Sequence, residues 1–172
     1  MKIEPLKGKN CLRNFSCGVR EIDSWARDKC HKLQEKSRIR VFCSYNPSAT
    51  SACGFYSLSL SAENAETVGS EARGIFARTG YTPLVYIDYL AVMRPMQGNG
   101  LGGLLLINAL RRAARVSQDV AVYGVALRSL NQDTTKLYEK YGFGVCEPEA
   151  SHPLMVLPIW TLYDLFSAKP KT

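Results

Sequence analysis

The chain has 172 residues, 46% of them hydrophobic and 22% charged, the composition of a globular protein; one domain over residues 1–172 with a sizeable core is expected. Its apolar runs fall far short of a membrane span, and its first residues carry no signal-peptide pattern, so the expected compartment is the cytoplasm. A formal net charge of +7 favours an anionic partner, nucleic acid included, and speaks to association rather than to fold.

In chain order, residues 3–6 read as a short first strand. Phe15-Ser16-Cys17-Gly18 then breaks the pattern and opens a helix. Along it Ile22, Trp25, Ala26, Cys30 and Leu33 recur at helical spacing, which leaves Arg27, Lys29, Lys32 and Lys36 on its other faces. Residues 38–45 and the aromatic-rich residues 53–60 read as partner strands about a turn at Asn46-Pro47-Ser48. Residues 61–83 are small, polar and glycine-containing; a loop is expected there, with one helical turn near Glu71 and a lid or substrate-contact role. Residues 85–92 are nearly continuously apolar, as a buried central strand is. The next helix, at 104–115, turns Leu106, Leu110 and Ala113 inward and Asn108, Arg111, Arg112 and Arg115 outward. A strand at 120–126 and a helix at 132–141 stopped by Gly142 follow. Residues 154–157 and 159–162 read as a final strand or two, interrupted by Pro158.

The cysteines at 11, 17, 30, 43, 53 and 146 form no C-x-x-C pair, and His31 and His152 stand far apart. No metal centre is expected, and the thiols read as small buried hydrophobes.

The most informative stretch is Gln97-Gly98-Asn99-Gly100-Leu101-Gly102-Gly103, which joins the apolar strand to the helix after it. A strand feeding a glycine-rich loop that opens a helix is a device for holding phosphate, because the first turn's unpaired N–H groups point at the anion. Two ligand classes fit. Gly98-x-Gly100-x-x-Gly103 satisfies the dinucleotide pattern G-x-G-x-x-G. That pattern wants a carboxylate at the end of the next strand, whereas Asp119 stands before the strand at 120–126. The loop also lies past mid-chain, which leaves too little sequence for the rest of a doubly wound sheet. Gln97-x-x-Gly100-x-Gly102, for its part, matches Q/R-x-x-G-x-G/A of the acetyl-CoA-dependent GNAT N-acetyltransferases.

A second motif decides between them. Asn131-Gln132-Asp133-Thr134-Thr135-Lys136-Leu137-Tyr138-Glu139-Lys140-Tyr141-Gly142-Phe143 resembles the GNAT pattern N-x-x-A-x-x-L-Y-x-K-x-G-F, with Thr134 where Ala is usual. The resemblance, carried by residues 84–143, implies an α/β (α+β) chain with the GNAT fold. That fold is a single mixed, mostly antiparallel twisted sheet of six to seven strands flanked by about four helices. It implies acetyl-CoA as cofactor, its phosphates on the main-chain amides of Gln97, Gly98, Asn99, Gly100, Leu101, Gly102 and Gly103. It further implies that Leu90, Ala91 and Val92 pair their backbone with the pantetheine arm, and that Asn131 makes a polar contact to the cofactor. Tyr138 is the implied proton donor to the departing thiolate, the alternative being a core aromatic with a satisfied hydroxyl. No residue is assigned as general base. Asp88, Tyr89, Glu63 and Glu66 are the available groups, and each also has a purely structural explanation.

A narrower resemblance covers residues 15–143. Phe15-Ser16-Cys17-Gly18 with Ile22-Asp23-Ser24-Trp25, and Gly54-Phe55-Tyr56-Ser57-Leu58-Ser59, are similar to segments of the GNAT toxins of bacterial toxin–antitoxin modules. Pro83, Leu90-Ala91-Val92 and the glycine loop fit the same pattern. One departure is Tyr89, where that group usually has Arg before Leu-Ala-Val. The resemblance implies acetylation of the α-amine of aminoacyl-tRNA, inhibition of translation, and a cognate ribbon-helix-helix antitoxin; a homodimer is a further expectation. The expected tRNA surface is Lys29, Lys32, Lys36, Arg38 and Arg40 with Arg111, Arg112 and Arg115, for which a solvated face without a partner is the alternative. A GNAT enzyme acting on a small amine, a peptide N-terminus or a protein lysine, and a non-catalytic CoA-binding GNAT fold, remain the other functional classes.

Overall fold

The computed structural model describes residues 2–46 and 51–166. The strands are β1 (Lys2–Pro5), β2 (Arg40–Tyr45), β3 (Ala52–Asn64), β4 (Tyr81–Val92), β5 (Gly124–Arg128), β6 (Gly144–Val145) and β7 (Leu154–Pro158), hydrogen-bonded in the order β1-β2-β3-β4-β5-β7-β6. β4 and β5 run parallel; the pairs β1–β2, β2–β3, β5–β7 and β6–β7 are antiparallel. The helices are α1 (Arg20–Asp28), α2 (Cys30–Glu35), α3 (Ala65–Val68), α4 (Ser70–Ile75), α5 (Leu101–Asp119), α6 (Gln132–Lys140) and α7 (Trp160–Phe166). The mixed seven-stranded sheet is the one expected. The helices outnumber the expected four because α2, α3, α4 and α7 are four to seven residues long, too short for a 3.6-residue period to stand out.

The chain forms two compact units, Met1–Ser59 with Ile87–Ala109, and Leu60–Tyr86 with Leu110–Thr172. The core of the first is aromatic. Phe15 meets Phe55 edge-on at 5.0 Å, Trp25 stacks on Phe55 at 5.9 Å, and Tyr89 lies tilted on Trp25 at 4.3 Å. Leu12, Ala26, Cys30, Val41, Cys43 and Ala91 close around these rings. Each large apolar side chain removed from water here contributes roughly 1.5–3 kcal/mol. The apolar stripe Ile22, Trp25, Ala26, Cys30, Leu33 faces this core as expected, although the single helix is interrupted at Lys29, whose φ is −115°. α1 has no side-chain N-cap; instead Asp23 reaches back from its first turns, accepting the Cys17 N–H at 2.7 Å and the Ser16 hydroxyl at 2.9 Å. Burial pushes this carboxyl up, but the donors around it from Cys17, Ser16 and Gly18 outweigh that and hold it below its ordinary value.

In the second unit Ala72, Leu84, Tyr123, Ala126, Leu154 and Val156 form the core, with Val68, Phe76 and Tyr86 packed against it. Three expectations change here. The loop foreseen at 61–83 is instead the end of β3, the short helix α3, the short helix α4, which is the turn expected near Glu71, and the start of β4. Asn64 caps α3 by accepting the Glu66 N–H at 2.9 Å, and buried Ala65 and Ala72 anchor the two turns. The strand expected at 120–126 is shifted to β5, because α5 runs on to Asp119. The strand expected at 159–162 is α7. β7 ends at Pro158, which lacks an N–H, and the Ile159 N–H is taken by the Tyr123 carbonyl at 2.9 Å, which turns the chain out of the sheet. The turn expected at Asn46-Pro47-Ser48 lies outside the described residues at Pro47 and Ser48.

All six cysteines are unpaired thiols. Burial raises Cys17 and Cys30 to about 11 and Cys43 to about 12, so all three stay protonated near neutral pH and behave as small hydrophobes. No helix of the described residues is long and apolar enough to cross a membrane.

Two substitutions test this packing. A Cβ on Gly124 would stand 2.5 Å from the Leu157 carbonyl oxygen, a backbone atom, so Gly124→Ala is expected to cost about 1–3 kcal/mol and to lower Tm by about 3–10 °C in calorimetry. Asp23→Ala is expected to cost about 1.5–3 kcal/mol at pH 7, read from urea midpoints. Because the folded-state value of Asp23 is depressed, its contribution is fully present above the ordinary carboxylate range and is lost as pH falls through that lowered value, so the gap between wild type and variant should close as the solution is acidified below the ordinary carboxylate range.

Candidate active site

The glycine loop sits between the end of β4 and the start of α5. Leu90 and Val92 are half-buried and Ala91 is buried, the three being the last residues of β4. The parallel register with β5 runs from Leu84 opposite Gly124 to Tyr86 opposite Ala126, while β4 itself continues to Val92. A short 3₁₀ turn at Arg94–Met96 then leads into Gln97.

Gln97 is exposed at its backbone position but its side chain is committed. Its carboxamide nitrogen donates to the Cys17 carbonyl and to the Val92 carbonyl, both at 2.9 Å. The Arg94 N–H adds a bond to the Ser16 carbonyl at 2.9 Å, and the Met93 N–H one to the Cys53 carbonyl at 2.8 Å. Gly98 and Gly100 have φ of +78° and +77°, the left-handed region that glycine adopts at little cost, and a Cβ at either would meet nothing within 4 Å. Open space above a left-handed backbone is what lets an anion reach the chain. The Leu104 N–H bonds the Gly100 carbonyl at 3.2 Å, so Gly100 stands just before the first turn of α5, and Leu101, Gly102 and Gly103 are the positions whose N–H groups a helix leaves without an internal partner. The 19-residue length of α5 aligns its peptide dipoles toward this end, equivalent to roughly half a positive charge. The helix begins three residues earlier than the apolar period indicated, since Leu101 is already buried.

In the second unit, Asn131 caps α6. Its Oδ1 accepts the Thr134 N–H at 3.0 Å while the Thr134 hydroxyl accepts the Asn131 N–H at 3.0 Å, a reciprocal capping box. Thr134, the departure from the usual Ala, is therefore the second half of the cap, and the Asn131 amide nitrogen is not used in it. Tyr138 is half-buried on α6, its ring 5.8 Å from Phe143. Among the described residues its hydroxyl has no hydrogen-bond partner, so the alternative of a core tyrosine with a satisfied hydroxyl does not describe it. Burial pushes its pKa up to about 12, which keeps the phenol protonated at neutral pH. Gly142, at φ +90°, ends the helix and turns Phe143 inward, where it is buried.

The carboxylates divide. Asp88 on β4 is half-buried and accepts the Ser59 hydroxyl at 2.9 Å and the Ser57 hydroxyl at 3.5 Å; burial raises its pKa. Glu63 is half-buried near the end of β3, and Glu66 lies exposed in the first turn of α3. Tyr89 lies on the opposite side of β4 from Asp88, its ring spent on Trp25. Lys29, Lys32, Lys36, Arg38 and Arg40 are all exposed around α2 and the start of β2. In the second unit Arg111 and Arg115 are exposed on α5, Arg111 with its guanidinium 5.3 Å from the Phe166 ring centre, while Arg112 is half-buried. The residues missed by sequence were Ser16, Cys17 and Asp23, whose joint role as the mooring of the Gln97 side chain needs a contact across 80 positions; the juxtaposed F-S-C-G and I-D-S-W segments were the signal available.

Comparison with known proteins places this geometry. The chain is 29% identical to a probable toxin TacT of Sinorhizobium fredii across 95% of this chain and 93% of that protein. It is 25% identical to a tRNA-acetylating toxin of Mycobacterium tuberculosis, across 85% of this chain and 86% of that one. Among solved structures, AtaT complexed with acetyl-methionyl-tRNAfMet shares the fold with a TM-score of 0.81 at 22% identity, covering 96% of this chain and 98% of that one. AtaT bound to acetyl-CoA and the C-terminus of its antitoxin AtaR gives a TM-score of 0.77 at 20% identity, over 96% and 97%. The model of the acetyltransferase (GNAT) family matches residues 19–143, from the start of α1 through the capped tyrosine helix and Phe143, and the chain belongs to that family.

Proposed function

We propose that this protein is an acetyl-CoA-dependent N-acetyltransferase that acts as a toxin by acetylating the α-amine of aminoacyl-tRNA, thereby blocking translation. The observation that carries the assignment is the similarity, along nearly the whole of both chains, to two toxins, one of them named for acetylating tRNA. The net charge of +7 supports a polyanionic substrate. One GNAT domain over residues 1–172, a cytoplasmic location, a homodimer and neutralisation by a ribbon-helix-helix antitoxin belong to the same proposal.

The residues present fit acetyl-CoA. The main-chain amides from Gln97 to Gly103 and the N-terminus of α5 hold a pyrophosphate, and the two left-handed glycines leave the approach open. Leu90, Ala91 and Val92 offer their backbone to the pantetheine arm in the manner of an added strand, and Asn131 offers the amide nitrogen its cap leaves over. Bound there, acetyl-CoA supplies an acyl thioester. Tyr138 holds a proton on its Oη for the leaving sulfur, and its raised pKa keeps that proton in place at working pH.

The acceptor class follows from the carboxylates. Asp88 has both oxygens engaged by serine hydroxyls, which favours a positioning part over deprotonation of the amine. A lysine amine, with pKa ~10.4, is almost wholly protonated near pH 7, whereas an α-amine at ~7.7–8.0 is already neutral in roughly a tenth of molecules. An enzyme without a free base is suited to the α-amine. Charged Lys29, Lys32, Lys36, Arg38 and Arg40, with Arg111, Arg112 and Arg115, form the proposed non-specific tRNA footing.

A thiol-release assay offering charged tRNA, free amino acids or a polyamine tests the assignment. Release with charged tRNA is expected; release with free amines alone points to a small-molecule GNAT enzyme, and none anywhere to a CoA-binding protein without catalysis. Tyr138→Phe is expected to keep acetyl-CoA affinity within about twofold and to lose about 10²–10⁴-fold in turnover. The wild-type rate profile should show no alkaline decline attributable to Tyr138 until about pH 11; a decline centred near 10 that disappears in Tyr138→Phe would contradict the donor's buried, protonated state.

A further inference from the structure

A cavity of about 360 Å³ opens in the first unit, lined by Lys9, Asn10, Arg13, Arg27 and Asp28, none of them a residue of the glycine loop. Its size falls in the range of small-ligand sites. Its frame is rigid: Lys9 and Asn10 stand on a 3₁₀ turn, Lys9–Leu12, fixed by fully buried Leu12, and Phe15 below it is 1% exposed. Arg27, on the last turn of α1, donates to the Phe15 carbonyl at 3.4 Å. Among the described residues no ion pair holds Lys9, Arg13 or Arg27, so three cations converge on the recess with Asp28 as its one carboxylate. Asp28 is steadied by the Ser24 hydroxyl at 3.2 Å.

From this we infer that the cavity is a docking subsite for a ribose-phosphate segment of RNA, seating the body of the tRNA substrate; the inference rests on the aminoacyl-tRNA assignment and adds a place of contact to it. The chemistry selects the ligand. Two guanidinium forks and an ammonium suit a phosphodiester, which presents two free oxygens to paired N–H donors. Asn10 adds a neutral donor and acceptor. Asp28 is the discriminating group. A carboxylate repels a bare anion or an acidic peptide, but it accepts a hydroxyl, and the ribose 2′-OH is the donor that RNA carries and DNA lacks. A recess that pairs three cations with one hydroxyl acceptor matches a ribonucleotide better than inorganic phosphate or a run of acidic side chains. Lys29, directly after Asp28, and Lys32 and Lys36 on α2 continue the positive charge along the chain.

The test uses the full-length protein and an uncharged tRNA transcript, with single-stranded DNA of equal length, polyglutamate and inorganic phosphate as further arms, followed by fluorescence anisotropy over a salt series. Arg13→Gln is expected to weaken transcript binding about tenfold and to flatten the slope of log K against log salt by about 0.7–0.9, one phosphate contact. Asp28→Asn should narrow the preference for RNA over DNA. Acetyl-CoA calorimetry and the melting curve of each variant show that the fold stands. Wild-type binding of the transcript with Kd and slope unchanged in Arg13→Gln would overturn the subsite while leaving the tRNA assignment in place. Tighter binding of polyglutamate or phosphate than of transcript, lost in Arg13→Gln, would reassign the cavity to an acidic or simple anionic ligand. A wild type blind to the transcript would remove the tRNA assignment and this subsite together.

Discussion

One carboxamide ties the glycine loop to two distant segments of the chain. Gln97 spans the Cys17 and Val92 carbonyls, one from the segment before α1 and one from the end of β4, while Asp23 fixes Cys17 from the other side through its N–H. The importance of this bridge is entropic. A loop containing Gly98, Gly100, Gly102 and Gly103 has more backbone freedom to lose than any other, about 1–2 kcal/mol per residue fixed. Because the loop is moored at folding through Gln97, that ordering is already complete in the folded chain. Glycine is needed for the backbone conformation and the bridge is needed to keep it from moving; neither suffices alone.

The same economy of parts is visible at α6. Asn131 and Thr134 spend their side chains on each other, which sets where the helix begins and so the rotational position of every residue on it. Tyr138 follows at a fixed angle, with Gly142 ending the helix and Phe143 packed against its ring. Its hydroxyl has no protein partner among the described residues, and only Ser44 Oγ and Thr82 Oγ1 are both unpartnered and fully buried there, so the Tyr138 hydroxyl keeps access to solvent. That separates Tyr138 from Tyr45, whose hydroxyl accepts the Lys7 N–H at 3.0 Å.

Tyr89 shows how a local departure can be absorbed. In place of the usual arginine, this chain has an aromatic that extends the series Phe15, Phe55, Trp25 by one more ring. At this position the side chain is a packing contact against Trp25 rather than a charge. Exposed cations lie instead around α2, on α5 and along the cavity by the first 3₁₀ turn.

The sequence by itself determined the glycine loop, its helix, the N-x-x-x-x-x-x-Y helix with its glycine stop, and the central apolar strand, because each is a local pattern: a period, a cap or a left-handed turn is decided within a few residues. It also determined the family, through two motifs in the right order. It did not show the helices α3 and α7, and it showed α4 only as a single turn near Glu71, because each is too short to display a period; they exist because Ala65, Leu162 and Ala72 find buried places. Nor did it show that β5 starts at Gly124, where a neighbouring carbonyl leaves no room for a Cβ. The mooring of Gln97, the two serines on Asp88, the unpartnered hydroxyl of Tyr138 and the cations gathered by Arg13 and Arg27 were decided only by tertiary structure. Their partners stand up to 80 positions apart, and no local pattern encodes which distant groups a fold will bring within hydrogen-bonding distance.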